Sequence, residues 1–312
     1  MAAAPATATL LLPARARLAG APLPERLARA LGRADRLADG DPGERAQLLR
    51  HFELLPRSWP VAALTRQRDA GDAAGAAWLR ADPAYVRPDI NGVRLLGIGE
   101  SLQLAREDAD ALLPALRPLF GDAGFPIDAP DSARWYLRLP REARLPLFAD
   151  AGEVLGADLF DHLPDGPEGR RWRALLSEAQ VVLHNHPHNA LRGERGLPPV
   201  NSLWFWGGGA LPDHVRSPHA QVRSDDLLLR SLALAAGIDD GRAMNEGATA
   251  GGVLLDYRAL AAFDDGLSAW VDAAVGGQLA RLVLDFADGA RWAIARPQRW
   301  RIWRRPLQHL AG

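Results

Sequence analysis

The chain has 312 residues, 37 basic and 38 acidic side chains and a formal net charge of -1, with 48% hydrophobic residues, a profile that excludes disordered, collagenous and fibrous proteins. All 37 basic residues are arginine and there is no cysteine. That removes Schiff-base, Walker A and kinase-type lysines together with thiolate catalysis, zinc-thiolate and iron-sulfur sites.

Abundant arginine and alanine read as codon-composition bias, and the balanced charge argues against a protein that coats nucleic acid. No run approaches the roughly 20 apolar residues that span a bilayer, and Leu10 to Leu12 is too short for a signal-peptide core. No membrane association and a cytoplasmic location are therefore expected.

Thr7 to Leu12 is predicted to be a strand stopped by Pro13, followed after Pro24 by a helix through Leu31 and Leu37. A second helix carries Leu48, Leu49 and Phe52 and closes at Pro56 to Pro60. The Ala-rich stretch from Val61 to Trp78 reads as helical at both ends. Val93, Leu95 and Leu96 form a strand, and Ser101 caps a helix running from Leu102 to Pro118. Trp135 to Leu139 is a short strand, and Trp172 to Leu183 begins as a helix. Asn201 to Trp206 is an aromatic strand that ends in three glycines. Helices follow at Asp225 to Ala236, around Tyr257 to Ala262 and from Leu267 to Leu279. Arg281 to Phe286 and Ala290 to Ile294 form a hairpin turned at Asp288-Gly289. Alternating strands and helices indicate an α/β fold.

The segment His186-Pro187-His188-Asn189-Ala190-Leu191-Arg192, with Gly196 and then Pro199-Val200-Asn201-Ser202-Leu203-Trp204-Phe205-Trp206-Gly207-Gly208-Gly209, carries a specific pattern. It resembles the HPxNxxR and PAN-x-(I/L)-W-x-WG-x-G motifs of the cofactor-independent phosphoglycerate mutases. Glu107-Asp108-Ala109, Trp135-Tyr136-Leu137-Arg138 and Gly247-Ala248-Thr249 echo further family motifs in the same order. Within the family the chain looks most like the short regulatory proteins of RpfE type.

The resemblance implies an α/β fold with a degenerate alkaline-phosphatase-like core, residues 1-84 and 210-312, and an inserted substrate-domain-like lobe, 85-209. It also implies two divalent metals held by aspartates and histidines, plus a serine nucleophile. The chain departs from that pattern: Leu10 to Leu12 runs into Pro13 where Asp-Gly belongs. Ser58 in Pro56-Arg57-Ser58-Trp59 is a relic of the nucleophile motif, with tryptophan in place of the metal-binding aspartate. Asp285 to Gly289 stands near the late metal motif without a histidine.

A binding protein without the metal engine is the resulting expectation, with no cofactor. Arg192 would grip a phosphate or carboxylate, with His186 and Asn189 beside it, and Asn201, Trp204, Trp206, Gly207 and Gly209 would complete the ligand surface. The bland alternatives are loop-fastening hydrogen bonds and core packing. An extended His184, His186 and His188 would share one face and could hold a metal. The enzyme alternative is a divergent phosphotransferase or phosphatase using manganese or zinc at a site rebuilt from His184, His186, Asp213 or His214. A third reading makes the Arg/Trp-rich terminus from Arg291 to Arg305 an interaction module, although alternation there also suits a terminal strand. The expected partners are thus a small anionic ligand or a protein.

Overall fold

A computed structural model describes residues 6-18, 20, 22-90, 92-241, 251-263 and 265-310. The backbone divides into two compact units, Met1–Arg57 with His214–Gly312, and Ser58–Asp213. The fold is mixed α/β, as the alternation of strand and helix patterns predicts.

In chain order the first unit opens with β1 (Thr7–Leu12), α1 (Arg15–Leu18), α2 (Glu25–Arg33), β2 (Asp35–Arg36), α3 (Glu44–Leu49) and β3 (Glu53–Leu55). The second unit contains α4 (Val61–Ala70), β4 (Ala77–Asp89), β5 (Gly92–Ile98), α5 (Arg106–Asp122), β6 (Ile127–Asp128) and β7 (Tyr136–Leu139). It continues with α6 (Ala151–Val154), α7 (Gly166–His184), α8 (His188–Glu194) and β8 (Ser202–Ala210). The chain then returns to the first unit through β9 (His214–Arg216), β10 (Gln221–Arg223), α9 (Leu227–Ala235), β11 (Val253–Asp256), α10 (Asp265–Gly276), β12 (Arg281–Phe286) and β13 (Arg291–Ile294).

The first unit is built on a sheet of order β10-β11-β1-β12-β13-β2, in which β10, β11, β1 and β12 run parallel and β13 pairs antiparallel with both β12 and β2. Leu10, Leu11 and Leu12 are fully buried, as a central strand covered on both faces requires. Parallel alignment brings the carboxyl ends of β10, β11, β1 and β12 to one edge, the usual place for a site in such sheets. The predicted hairpin forms, with Gly289 at φ +89° in the turn between β12 and β13.

In the second unit β4 is the organising strand, paired antiparallel with β8, β7 and β5. One face packs α5 and α7 around Leu112, Leu116, Phe120, Trp172 and Phe205; Trp204 belongs to a separate cluster with Val86, Leu95 and Leu159. Residues 204 and 205 thus fall on opposite faces of β8, as period-2 alternation demands.

Several expected elements differ. The chain from Ala77 is strand rather than helix, because Ala77 to Ala81 is buried and pairs with both β7 and β8; packing overrides alanine's helix preference. The expected boundary at 84/85 falls inside β4, so the units divide at 57/58 and 213/214 instead. The main helix starts at Arg106, not Leu102, with Ser101 in a preceding 3-10 turn. Tyr257 to Ala262 is turn and bend. The terminus after β13 is a 3-10 turn, Arg296–Trp300, followed by irregular chain, not a strand. Gly207 to Gly209 lies within β8 and forms no separate turn. A Cβ on Gly207, at φ +65°, would lie 2.8 Å from Val61 Cβ of α4, so close helix–strand packing accounts for the glycine. Gly247-Ala248-Thr249 lies outside the described residues.

Candidate functional site

The first part of the recognised segment begins just after α7, turns at Pro187 and forms α8. Arg192 is 0% exposed. Its Nε donates to the Pro198 carbonyl at 3.0 Å, Nη1 to Asp108 Oδ2 at 2.6 Å and Nη2 to the Leu102 carbonyl at 2.7 Å. Asp108, at the N-terminus of α5, also accepts from the Ala105 N–H at 2.9 Å and from His188 Nε2 at 2.6 Å. Burial opposes the Asp108 charge, yet hydrogen bonds from His188 and Ala105 and the charge of Arg192 hold its carboxyl below the ordinary range.

Asn189 donates to the carbonyls of Leu183 and Val200 at 2.8 and 2.9 Å and accepts from the Val200 N–H at 2.8 Å. Asn201 closes a two-bond pair with Val86 N–H and C=O at 2.9 and 2.8 Å. Arg192, Asn189 and Asn201 therefore grip their own chain. His184 is exposed on α7, and His186 is half-buried with its Nδ1 accepting from the His188 N–H at 3.2 Å. Burial lowers the pKa of His186. Helical chain on both sides of Pro187 removes the extended geometry that would align the three histidines.

Trp204 donates to the Ala149 carbonyl at 3.2 Å, and Trp206 Nε1 to Asp82 Oδ2 at 2.7 Å. Asp82 also accepts from Arg80 Nε at 2.8 Å, and burial pushes its carboxyl up. The Arg80 guanidinium lies 5.3 Å from the ring centroids of both Trp206 and Tyr136, within cation-π range. These aromatics hold a buried charge in place. Asn201 and His184 do meet at one open feature, a cavity of about 660 Å³ that is mostly apolar and also lined by Arg173, Leu159, Leu176 and Val181.

In the first unit, a polar cluster absent from the sequence-based site runs from Asp285, near the carboxyl end of β12, to His219, which precedes β10 at the amino end of the strands. Asp285, 0% exposed, receives Arg50 Nε at 3.0 Å and Nη2 at 2.6 Å, and faces His51 Nε2 at 3.0 Å. His51 Nδ1 in turn lies 3.1 Å from His219 Nε2, giving a hydrogen-bonded chain Asp285–His51–His219. Burial and then the neighbouring His51 push the His219 imidazole down to about 4. Gln47 ties this cluster to the strands by donating to the carbonyls of Leu12 and Asp285 at 3.0 and 2.7 Å. At the end of β11, Asp256 is held by Arg258 through bonds of 2.8 and 2.7 Å and accepts from Ser224 at 2.6 Å. Asp288 is paired with Arg15 at 2.7 Å.

Every one of those three carboxylates therefore carries a guanidinium, a strong charge-assisted arrangement. A two-metal centre needs carboxylates and imidazoles converging with free lone pairs. Among the described residues no group of three or more histidine, aspartate or glutamate side chains could hold a metal ion. This donor set does not fit the metals that the resemblance implies. Ser58 is exposed in the segment before α4, and Asp213 is held by Arg141 at 3.4 Å.

Sequence reasoning missed His51 and His219, which stand 168 residues apart without a motif. Asp108 was visible only as an echo, and Asp82 carried no signal beyond lying in a strand.

No family model matches the chain. It is 36% identical over 93 residues to a probable 2,3-bisphosphoglycerate-independent phosphoglycerate mutase of Geobacter sulfurreducens, a match covering 28% of this chain and 23% of the relative. The corresponding enzyme of Methanosarcina barkeri is 32% identical over 93 residues, again 28% of this chain and 23% of the relative. The matched segment thus spans under a quarter of these curated relatives. Among solved structures, the PH0037 protein of Pyrococcus horikoshii superposes with a TM-score of 0.50 at 13% identity, covering 95% of this chain and 88% of that one. A cofactor-independent phosphoglycerate mutase of Thermoplasma acidophilum gives 0.46 at 14% identity, over 93% and 90%. Over the matched segment the chain is similar to cofactor-independent phosphoglycerate mutases.

Proposed function

We propose that this chain is a regulatory pseudo-enzyme of the mutase-like, RpfE-type branch. In this reading a reduced alkaline-phosphatase-like core and a substrate-domain-like lobe serve to bind a small anionic ligand or a protein partner in the cytoplasm. No metal-dependent phosphoryl transfer is involved. The observation that supports it most directly is the arginine clasp on Asp256, Asp285 and Asp288 at the carboxyl edge of the sheet. A guanidinium there neutralises a carboxylate that would otherwise face a cation. Among the described residues no helix is long and apolar enough to cross a membrane.

The second reading, a divergent metal-dependent phosphotransferase or phosphatase, draws on the Asp285–His51–His219 chain, since a carboxylate-oriented imidazole pair is an arrangement able to relay a proton. Elemental analysis of freshly purified protein, combined with assays on phosphoglycerates and aryl phosphates with added manganese or zinc, separates the two. The pseudo-enzyme reading expects no stoichiometric metal and no turnover. Turnover that disappears in His219→Gln, or a stoichiometric metal, would replace it with the enzyme reading.

A further inference from the structure

A cleft of about 230 Å³ in the first unit is lined by Arg26, Arg29, Arg33 and Arg299, with Val271 and Ile294 contributing apolar wall. The first three stand on α2 at spacings of three and four, which puts them on one helix face; Arg299 comes from the 3-10 turn after β13. Arg26 is paired with Asp272 of α10 at 2.7 Å and Arg29 with Glu25. Arg33 Nη1 donates to the Arg299 carbonyl at 2.9 Å. The Nε atoms of both Arg33 and Arg299 are buried without a hydrogen-bond partner. Asp272 also lines the cleft but is taken by Arg26, and Arg299 lies over the Trp300 ring at 4.8 Å; among the described residues neither Arg33 nor Arg299 is paired with a carboxylate.

Buried unsatisfied donors and uncompensated like charges are both costly, and native proteins retain them where function requires. A ligand that satisfies this cleft is anionic and accepts from the guanidinium groups of Arg33 and Arg299. A phosphate monoester supplies a charge of about -1.5 to -2 near neutral pH and three acceptor oxygens, matching two unneutralised guanidiniums better than a single carboxylate does. We propose that this cleft binds the phosphate group of a small phosphate ester. Arg33 and Arg299 are its principal donors, and the carbon skeleton rests against Val271 and Ile294. The proposal rests on the ligand-binding reading above and locates the ligand in the first unit, away from the recognised motif of the second.

The test is calorimetric titration of the full-length protein at constant ionic strength with inorganic phosphate, 3-phosphoglycerate and adenosine monophosphate. Lactate serves as a phosphate-free carboxylate, and anionic vesicles and single-stranded DNA as polymeric phosphate. Saturable binding of at least one free phosphate, weakened about tenfold or more in Arg33→Gln/Arg299→Gln, is expected, since each lost charge-assisted bond is worth that much. Without ligand, Arg299→Gln should raise the melting temperature at low salt, by relief of repulsion; a purely structural arginine would lower it.

Absence of binding by any free phosphate, or binding of vesicles or DNA alone, overturns the cleft assignment. Equal affinity in the double variant also overturns it, while leaving the ligand-binding reading intact with a site elsewhere. Metal-dependent turnover with phosphate still bound at Arg33 and Arg299 has the opposite effect: it removes the pseudo-enzyme reading and keeps the cleft.

Discussion

His219 is a half-buried imidazole whose Nε2 faces His51, with Asp285 and Arg50 beyond it. Its pKa lies at about 4 in the folded protein against 6.5 for a solvated imidazole. The unfolded chain therefore takes up the proton first as the pH falls. The stability contributed by neutral His219 is full above about pH 6.5 and is lost progressively as the pH falls to about 4. Asp285 is shifted in the same direction from 3.8, so its own contribution disappears below that, in a separate window. Urea midpoints measured from pH 7 to 4 should decline through the upper window in the parent and stay flatter in His219→Gln. Parallel curves would mean that burial of this imidazole does not control the acid response. None of this was legible in the chain order, because His51, His219 and Asp285 have no shared spacing and only the parallel sheet gathers them. Arg192 was legible as a special residue but not in its role: a sequence pattern marks an arginine as constrained and cannot say whether its fork points outward or into the protein.

That inward fork acts at the level of elements, because Arg192 and Asp108 join α8 to the first turn of α5, and Arg192 also holds the chain at Leu102 and Pro198. An ion pair this deep offsets its desolvation only while both partners are present. Arg192→Met should lower the unfolding free energy by about 3 to 5 kcal/mol, the range for a buried charge left alone. Arg192→Met/Asp108→Asn should recover part of that loss. A double-mutant cycle in urea measures the coupling, and simple additivity would show that the two side chains act independently. The elements themselves were read well where the apolar period was clean, as in β1, α7 and the β12–β13 hairpin. They were misread where burial overrode propensity. Ala77 and Trp78 ended a stretch that looked helical because alanine favours helix, but packing between β7 and β8 makes them strand. Gly207 and Gly209 were expected to complete a ligand surface; in the fold Gly207 lets β8 pass close to α4.

At the scale of the whole chain, the discontinuous layout, with both ends in one unit and a long insertion between them, came from the resemblance and not from composition, which changes little along the sequence. The exact cuts depend on strand pairing that no local pattern encodes. Leu55 of β3 pairs with His214 of β9, so the two strands flanking the insertion are already hydrogen-bonded neighbours within the first unit. Inside the second unit, Gly209 packs so closely on Pro60 that a Cβ there would lie 2.8 Å from the proline Cβ. The ends of the insertion thus meet as well. Each unit also has its own apolar cluster, around Leu116, Trp172 and Phe205 in one and Leu10, Leu284 and Phe286 in the other. Segments with adjacent termini and a private core are those that tolerate excision. Residues 58-213 expressed alone should show a single cooperative urea transition with native-like near-ultraviolet circular dichroism. The remainder, joined from residue 57 to 214 by a short glycine–serine linker, should do the same. If either piece shows only a broad, non-cooperative loss of secondary structure, its core depends on the other unit, and the insertion cannot be treated as an independent folding segment.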